Sequence, residues 1–367
     1  MRILCRRDGL LSAFQLASTA IAGHDHKPVL QNVKATAGMD RCTLQATNLE
    51  LGIRLNFNST IVEEPGEVLL PAARTLAIMR EGADEEWAVE TRDNTCHVRG
   101  QSSEFEFSTE EPTHFPDVPE FDADKYHEIQ AGVLREMIRR TLFAVASESN
   151  RYAITGVLWE LEGKSARLIG TDGRRLAFAQ GAAIAHAEHS ASGLTSIVPA
   201  KAMQLLNRNL HNPDETVWIN FKANEAHFKT ENVTVYARLV EGRFPRYRDI
   251  LPKKANVKIP LIVGPFFTAL RQAAIMADDD NRKVILHFAK QKLTMEACGA
   301  DTGRSKVELP IDFSGKSAEI AFDPKSLIDM LNVLPADATI VLEMADDKTP
   351  ATFRCGDDFS YIVVPLV

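Results

Sequence analysis

Four short patterns recur along this 367-residue chain, in the same order and about 125 residues apart, and they limit the fold to three tandem domains built alike. The first is a glycine start that leads into an amphipathic helix: Gly9-Leu10-Leu11-Ser12, Gly132-Val133-Leu134-Arg135 and Gly264-Pro265-Phe266-Phe267. In the middle copy Leu134, Ile138 and Leu142 stand at i, i+4 and i+8, one stripe of a helix. Arg135 and Arg139 form a second stripe, with Arg140 beside it. The second pattern is strand, turn and strand, around Thr47-Asn48-Leu49-Glu50 and Thr171-Asp172-Gly173-Arg174, where Asp-Gly is a hairpin signal. Its third copy, around residues 292–299, is weaker. The third pattern runs a strand into a short helix through a proline, at Pro71-Ala72-Ala73-Arg74, Pro199-Ala200-Lys201 and Asp323-Pro324-Lys325. Proline suits a first helical turn because its missing N–H would be unpaired there. A closing segment ends each copy: His114-Phe115-Pro116, Arg243-Phe244-Pro245, and Tyr361 through Val367.

These spacings set domains at 1–126, 127–253 and 254–367, each holding two strand–helix–three-strand units. The expected class is α+β, with six helices near 9–22, 72–80, 132–146, 200–210, 264–277 and 324–334. No stretch approaches the roughly 18 consecutive apolar residues of a membrane helix, and charges stand where a signal peptide would carry its apolar core. A cytoplasmic protein is expected. Five cysteines, an odd number and widely separated, argue against a disulfide framework, and no C-x-x-C pair suggests zinc. They read as small buried thiols.

A net charge of −8 argues against a generic nucleic-acid binder, so any DNA role has to come from local placement of charge. The placement is uneven. Over the six helical spans the formal charge is +7, against −8 for the whole chain. Its carriers are Arg74, Arg80, Arg135, Arg139, Arg140, Lys201, Arg208 and Arg271, while Lys325 is offset by Asp329. For any one of them the plainer reading is a solvated helix face or a pair with a neighbour such as Glu136.

Arg151-Tyr152-Ala153-Ile154-Thr155-Gly156, Gly170-Thr171-Asp172-Gly173-Arg174-Arg175-Leu176 and Glu241-Gly242-Arg243-Phe244-Pro245 resemble, at matching spacing, the motifs of the bacterial sliding-clamp family. The resemblance spans all 367 residues. It implies three copies of the clamp domain, with helices lining a central hole and antiparallel sheets outside. It also implies a non-catalytic homodimeric ring that encircles duplex DNA without reading its sequence. A separate ATP-driven clamp loader would open the ring, in keeping with the lack of a G-x-x-x-x-G-K-[ST] loop here. The helix cations named above would then face DNA, and no cofactor or metal is needed. At the dimer interface the resemblance places Phe105 and Phe107 against Ile275 and Met276. It places a groove for short peptides of the replicative polymerase catalytic subunit and other replication and repair proteins at Ile154, Thr171, Gly173, Arg174, Arg175, Leu176, Pro245, Ile250, Val363, Val364, Pro365 and Leu366. Three residues depart from the family: Asp249 stands where arginine can occur, Ser326 where tyrosine can, and His24 where a basic residue can reach DNA.

Two other classes compete. A metal-dependent nuclease could use Asp278, Asp279 and Asp280 with Asp172, since carboxylates hold magnesium in phosphoryl-transfer sites. Yet the run follows a helix where the repeat expects a loop, and Asp172 sits in a repeated turn. His24 and His26 imitate a metal pair without a third ligand, and no G-x-S-x-G elbow is present. A three-repeat scaffold that binds proteins but not DNA is the second, against which the arginines of 132–146 speak.

Overall fold

A computed structural model describes all residues except 22–26, 40, 59, 149–152, 252–254, 278–281, 300–302 and 367. His24, His26, Arg151, Tyr152 and Asp278 to Asp280 therefore lie outside the described residues. Six α-helices are present among those described: α1 (Arg7–Ser18), α2 (Ala72–Glu81), α3 (Ala131–Leu142), α4 (Ala200–Asn209), α5 (Val263–Ala274) and α6 (Pro324–Leu331). They fall within a few residues of the spans that the glycine and proline starts imply. Along the chain, strand–helix–strand–strand–strand recurs, with small extra strands between some units. Helix bounds alter the charge argument slightly. Glu81 closes α2, so the six helices carry a formal +6.

The chain folds as two compact units that cut across the sequence copies. The first holds Met1–Gly132, Ile184–Ser190 and Lys201–Leu239; the second holds Val133–Ala183, Ala191–Ala200 and Val240–Val367. In the first, a five-stranded antiparallel sheet ends on the edge strand Glu104–Ser108. A nine-stranded sheet runs from Ile184–His186 through Tyr126–Gln130 to Gly66–Pro71. Its middle joins the first two sequence copies, where Val233–Arg238 pairs with Leu51–Phe57 at Val235↔Ile53. In the second unit, Arg175–Ala182 pairs with Phe359–Val363 at Ala177↔Tyr361, which joins copies two and three in the same way. A four-stranded sheet there ends on the edge strand Gly303–Pro310.

Strand alternation sets the cores. Along Val257–Ile262, Ile259 and Leu261 are buried while Lys258 and Pro260 face out. α5 adds Phe266, Leu270 and Ala273 from one stripe to the same core, where they meet Phe322, Leu342 and Phe353.

Turn chemistry repeats as closely as the strands do. The Asn48 side-chain oxygen accepts the N–H groups of Glu50 and Leu51 at 3.1 and 2.8 Å, and Asp172 Oδ1 accepts those of Arg174 and Arg175 at 2.9 and 3.0 Å. The preceding hydroxyls also match: Thr47 donates to Leu51 O at 2.9 Å and Thr171 to Arg175 O at 2.6 Å. One position in each turn is left-handed, Leu49 at φ 75° and Gly173 at φ 90°. Glycine adopts this without a Cβ clash, whereas leucine holds it only because the turn's hydrogen bonds require it. The weaker third copy differs: Lys292–Gly299 is one uninterrupted strand, and its hairpin partner is Gly303–Pro310.

Cys5, Cys42 and Cys96 are buried, and burial pushes each thiol up to about 12. Cys298 is exposed and Cys355 half-buried, so the expectation of five buried thiols fails at the C-terminal ends of two interior strands, Lys292–Gly299 and Ala351–Cys355. No helix among the described residues is long and apolar enough to cross a membrane.

Candidate peptide groove and cationic helix faces

The groove residues lie entirely within the second unit. Ile154 and Leu176 are buried in one apolar cluster with Phe244, Tyr247 and Ile362. Thr171 spends its hydroxyl on the turn, and Gly173 opens to solvent with nothing close to where a Cβ would stand. Arg174 is exposed. Its carbonyl accepts the Val364 N–H at 3.0 Å, and the Leu366 N–H reaches Ala321 O at 2.8 Å. Those two bonds hold residues 364–366 as a fixed ledge: Val363 and Pro365 are buried, while Val364 and Leu366 are 46% and 37% exposed. On another side Pro245 is half-buried, and Ile250 is 48% exposed beside the exposed Asp249. Apolar groups left at the surface beside a firm apolar floor form the usual platform for hydrophobic peptide anchors.

Arg175 has a different role from Arg174. Its guanidinium donates to Asp172 at 2.9 Å, Asp329 at 2.8 Å and Phe143 O at 2.9 Å, and lies over the Phe143 ring. Burial alone would lower its pKa, but the Asp329 and Asp172 carboxylates outweigh that and raise it. It braces the turn and leaves little for a ligand. Ser326 is half-buried on α6, and its carbonyl accepts the Tyr361 hydroxyl at 2.9 Å.

Beside the same cluster lies a cavity of about 400 Å³, lined by Glu160, Glu162, residues 191–194 and residues 246–249. Buried Glu160 accepts from Tyr247 Oη at 3.1 Å and from Arg248 at 2.9 Å. Sequence reasoning did not reach Glu160, Tyr247 or Ile362. Phe244 stands in the Arg243-Phe244-Pro245 segment and Tyr247 two residues beyond it, so both were within reach, but no pattern marks Glu160.

The helix cations divide into two groups. Arg74, Arg80, Arg135, Lys201, Arg208 and Arg271 are exposed, the last with its guanidinium over Phe267. On α4, Ala202, Met203, Leu205, Leu206 and Asn209 face inward, which leaves Lys201 and Arg208 on the outer stripe. Arg139 is exposed but pairs with Glu136 at 3.0 Å. Arg140 is held between Glu136 at 2.8 Å and Asp358 at 2.7 Å, above the Phe359 ring. Its charge is already matched.

At the expected interface, Phe105 is partly exposed and leans on Trp87, while Phe107 is packed into the core. Only Phe105 of the pair is left at the surface. Ile275, just past α5, is 70% exposed, and Met276 is half-buried. The edge strand Glu104–Ser108 carries outward Glu104 and Glu106, and the other edge strand, Gly303–Pro310, carries Arg304 and Lys306. Among the described residues no group of three His, Cys, Asp or Glu could hold a metal ion.

Three tandem α+β copies with antiparallel sheets, amphipathic helices that keep cations outside, and an apolar ledge define a clamp-type repeat protein. Models of the DNA polymerase III beta subunit match throughout, its N-terminal domain at 1–119, central domain at 128–246 and C-terminal domain at 248–366. The beta sliding clamps of Pseudomonas putida and Escherichia coli K12 are 29% and 26% identical over 100% of each chain. A Pseudomonas aeruginosa sliding clamp solved with griselimycin superposes with a TM-score of 0.92 at 26% identity, covering 100% of this chain and 99% of that one. A Bacillus subtilis clamp shares the fold at a TM-score of 0.93 and 22% identity, with the same coverage. The chain belongs to the DNA polymerase III beta subunit family. It is a DNA sliding clamp of replication, a non-catalytic processivity factor.

Proposed function

We propose that two copies of this cytoplasmic chain, each with domains at 1–126, 127–253 and 254–367, close head to tail around duplex DNA. The ring tethers the replicative polymerase and other DNA enzymes through the apolar ledge, and a clamp loader opens it. The observation that carries this reading is the outward cationic stripe of the helices in a chain whose net charge is −8. Cations on helix faces meet phosphates, which position a protein without specifying sequence. Such binding weakens steeply with salt, so lasting attachment comes from closure of the ring. Unlike surfaces meet at each joint. One protomer's edge strand Glu104–Ser108 extends the sheet of its partner along Gly303–Pro310, acidic side chains facing basic ones, with Phe105 against Ile275 and Met276.

Replacing both Ile275 and Met276 by alanine should give a monomer of unchanged helicity in sedimentation. It should also lose the increase in product length that the wild-type protein confers on its polymerase in loader-dependent primer extension. A wild-type protein that is monomeric at micromolar concentration, or that leaves product length unchanged, would contradict the reading.

The helix cations should separate in the same assays. Arg135→Glu should cut loading onto DNA while shifting unfolding stability by less than about 0.5 kcal/mol, as a free surface residue. Arg140→Ala should cost about 1 kcal/mol in urea unfolding, because the partly buried guanidinium loses its packing on Phe359 and its pairs with Glu136 and the exposed Asp358. Equal stability of the two variants would show that the Asp358 pair contributes nothing.

A further inference from the structure

We propose that the segment Ile184–Ser190 is an acid-released strap, clasped to the first unit by the buried imidazoles of His127 and His189. The two Nδ1 atoms lie 2.7 Å apart, with His127 fully buried and His189 6% exposed. The Phe221 N–H donates to His189 Nε2 at 3.2 Å, so that nitrogen carries no proton. A neutral His189 therefore bears its hydrogen on Nδ1 and donates it to His127 Nδ1. Every position in this chain of bonds is assigned. A second proton has nowhere to go without breaking a bond: on His127 Nδ1 it opposes the His189 N–H, and on His189 Nε2 it opposes the Phe221 N–H.

The strap is also strained. Between His186 and His189 the chain reverses through Ala187 at φ 50° and Glu188 at φ 57°, two consecutive left-handed residues of which neither is glycine. A turn of this type favours Asn-Gly, and side chains there persist only where surrounding contacts enforce them. The His189 N–H bonds back to His186 O at 3.1 Å, so the turn depends on His189 staying docked. Release of the imidazole removes the constraint and lets the turn relax.

The charged groups described on the packed elements are exposed or already engaged. Lys125 and Glu128 lie on the strand side, Glu188 is exposed on the turn, and Lys222 follows Phe221. On the next strand Glu225 pairs with buried His227 at 3.1 Å, and Lys201 and Arg208 of α4 are exposed. Glu128 already faces His186 at 3.2 Å and accepts from Trp218 Nε1 at 3.2 Å. The strand end of the strap, Ile184–His186, is held to Tyr126–Gln130 by its main-chain ladder, so release of His189 loosens the turn end.

Burial holds the His189 pKa below the ordinary histidine value. A depressed histidine contributes stability that is fully present above the free value of about 6.5 and is lost as pH falls below it. One imidazole that cannot take a proton in the closed form makes opening about tenfold more favourable at one pH unit below its free value.

Hydrogen exchange of the full-length protein, corrected for the intrinsic pH dependence of exchange, tests this between pH 7.5 and 5.5. The amides of Phe221 and residues 187–190 should lose about tenfold in protection, while the strands Cys42–Thr47 and Leu51–Phe57 of the same sheet keep theirs. His189→Asn supplies a donor that does not titrate and should flatten the pH response of residues 187–190. Glu188→Gly should raise protection of the turn at both pH values, by removing strain from the closed form. Protection of the strap that does not change with pH would overturn the proposal. So would a loss spread evenly over the unit, or an unaltered pH response in His189→Asn.

Discussion

Deleting Val364 through Val367 should weaken binding of a polymerase-derived peptide at least 100-fold while leaving dimerisation unchanged. The ledge formed by residues 364–366 presents Val364 and Leu366 to solvent at 46% and 37%, and two main-chain bonds hold it in place. A short peptide with two buried anchors reaches micromolar affinity, about −8 kcal/mol. Each anchor is worth about 1.5–3 kcal/mol when fully buried, and loss of the surface opposite both removes about 3 kcal/mol or more. The same deletion leaves Phe359–Val363 paired on both sides, so the joint between copies two and three persists. Fluorescence anisotropy with a labelled peptide, beside sedimentation of the truncated protein, measures both halves. Unimpaired peptide affinity in the truncated protein would remove the ledge from the site.

Much of the architecture was legible because the physics that sets it is local. Glycine and proline starts, apolar stripes at helical spacing and Asp172-Gly173 each declare an element within a few residues, and the three copies reinforce one another. Sheet joints were harder to see. Nothing within Val233–Arg238 announces that its partner is Leu51–Phe57, since pairing across about 180 residues depends on the packing of two whole copies. The third hairpin was blurred because no turn residue stands between Lys292 and Cys298, the chain running straight through them as strand.

At the site, residue identity was easier to read than residue task. Thr171, Gly173, Arg174 and Arg175 stand together as the motif suggests, yet Arg175 is committed to Asp172, Asp329 and the Phe143 carbonyl. Asp329 and Phe143 lie on two other segments, which no reading of spacing can supply. Arg140 is the same case: helical periodicity puts it beside Arg139, but only the fold brings Asp358 to it. Phe105 and Phe107 alternate as strand residues do, and the Trp87 neighbourhood then leaves one of them at the surface and the other inside. Burial is a property of the assembled sheet, not of the strand alone.

Topological attachment makes the strongest demand on the molecule and separates a clamp from both an ordinary DNA-binding protein and a protein-binding scaffold. Charge contacts through exposed residues such as Arg135, Lys201 and Arg208 are screened within about 8–10 Å at physiological salt and are lost in a high-salt wash. A closed ring is indifferent to that wash. The direct measurement loads the protein onto a singly nicked circular duplex, washes at high salt, and then cuts the circle once with a restriction enzyme while following bound protein. Ring closure predicts that the protein stays on the circle through the wash and leaves rapidly once free ends exist. Loss in the wash, or retention that is the same before and after linearisation, would contradict it.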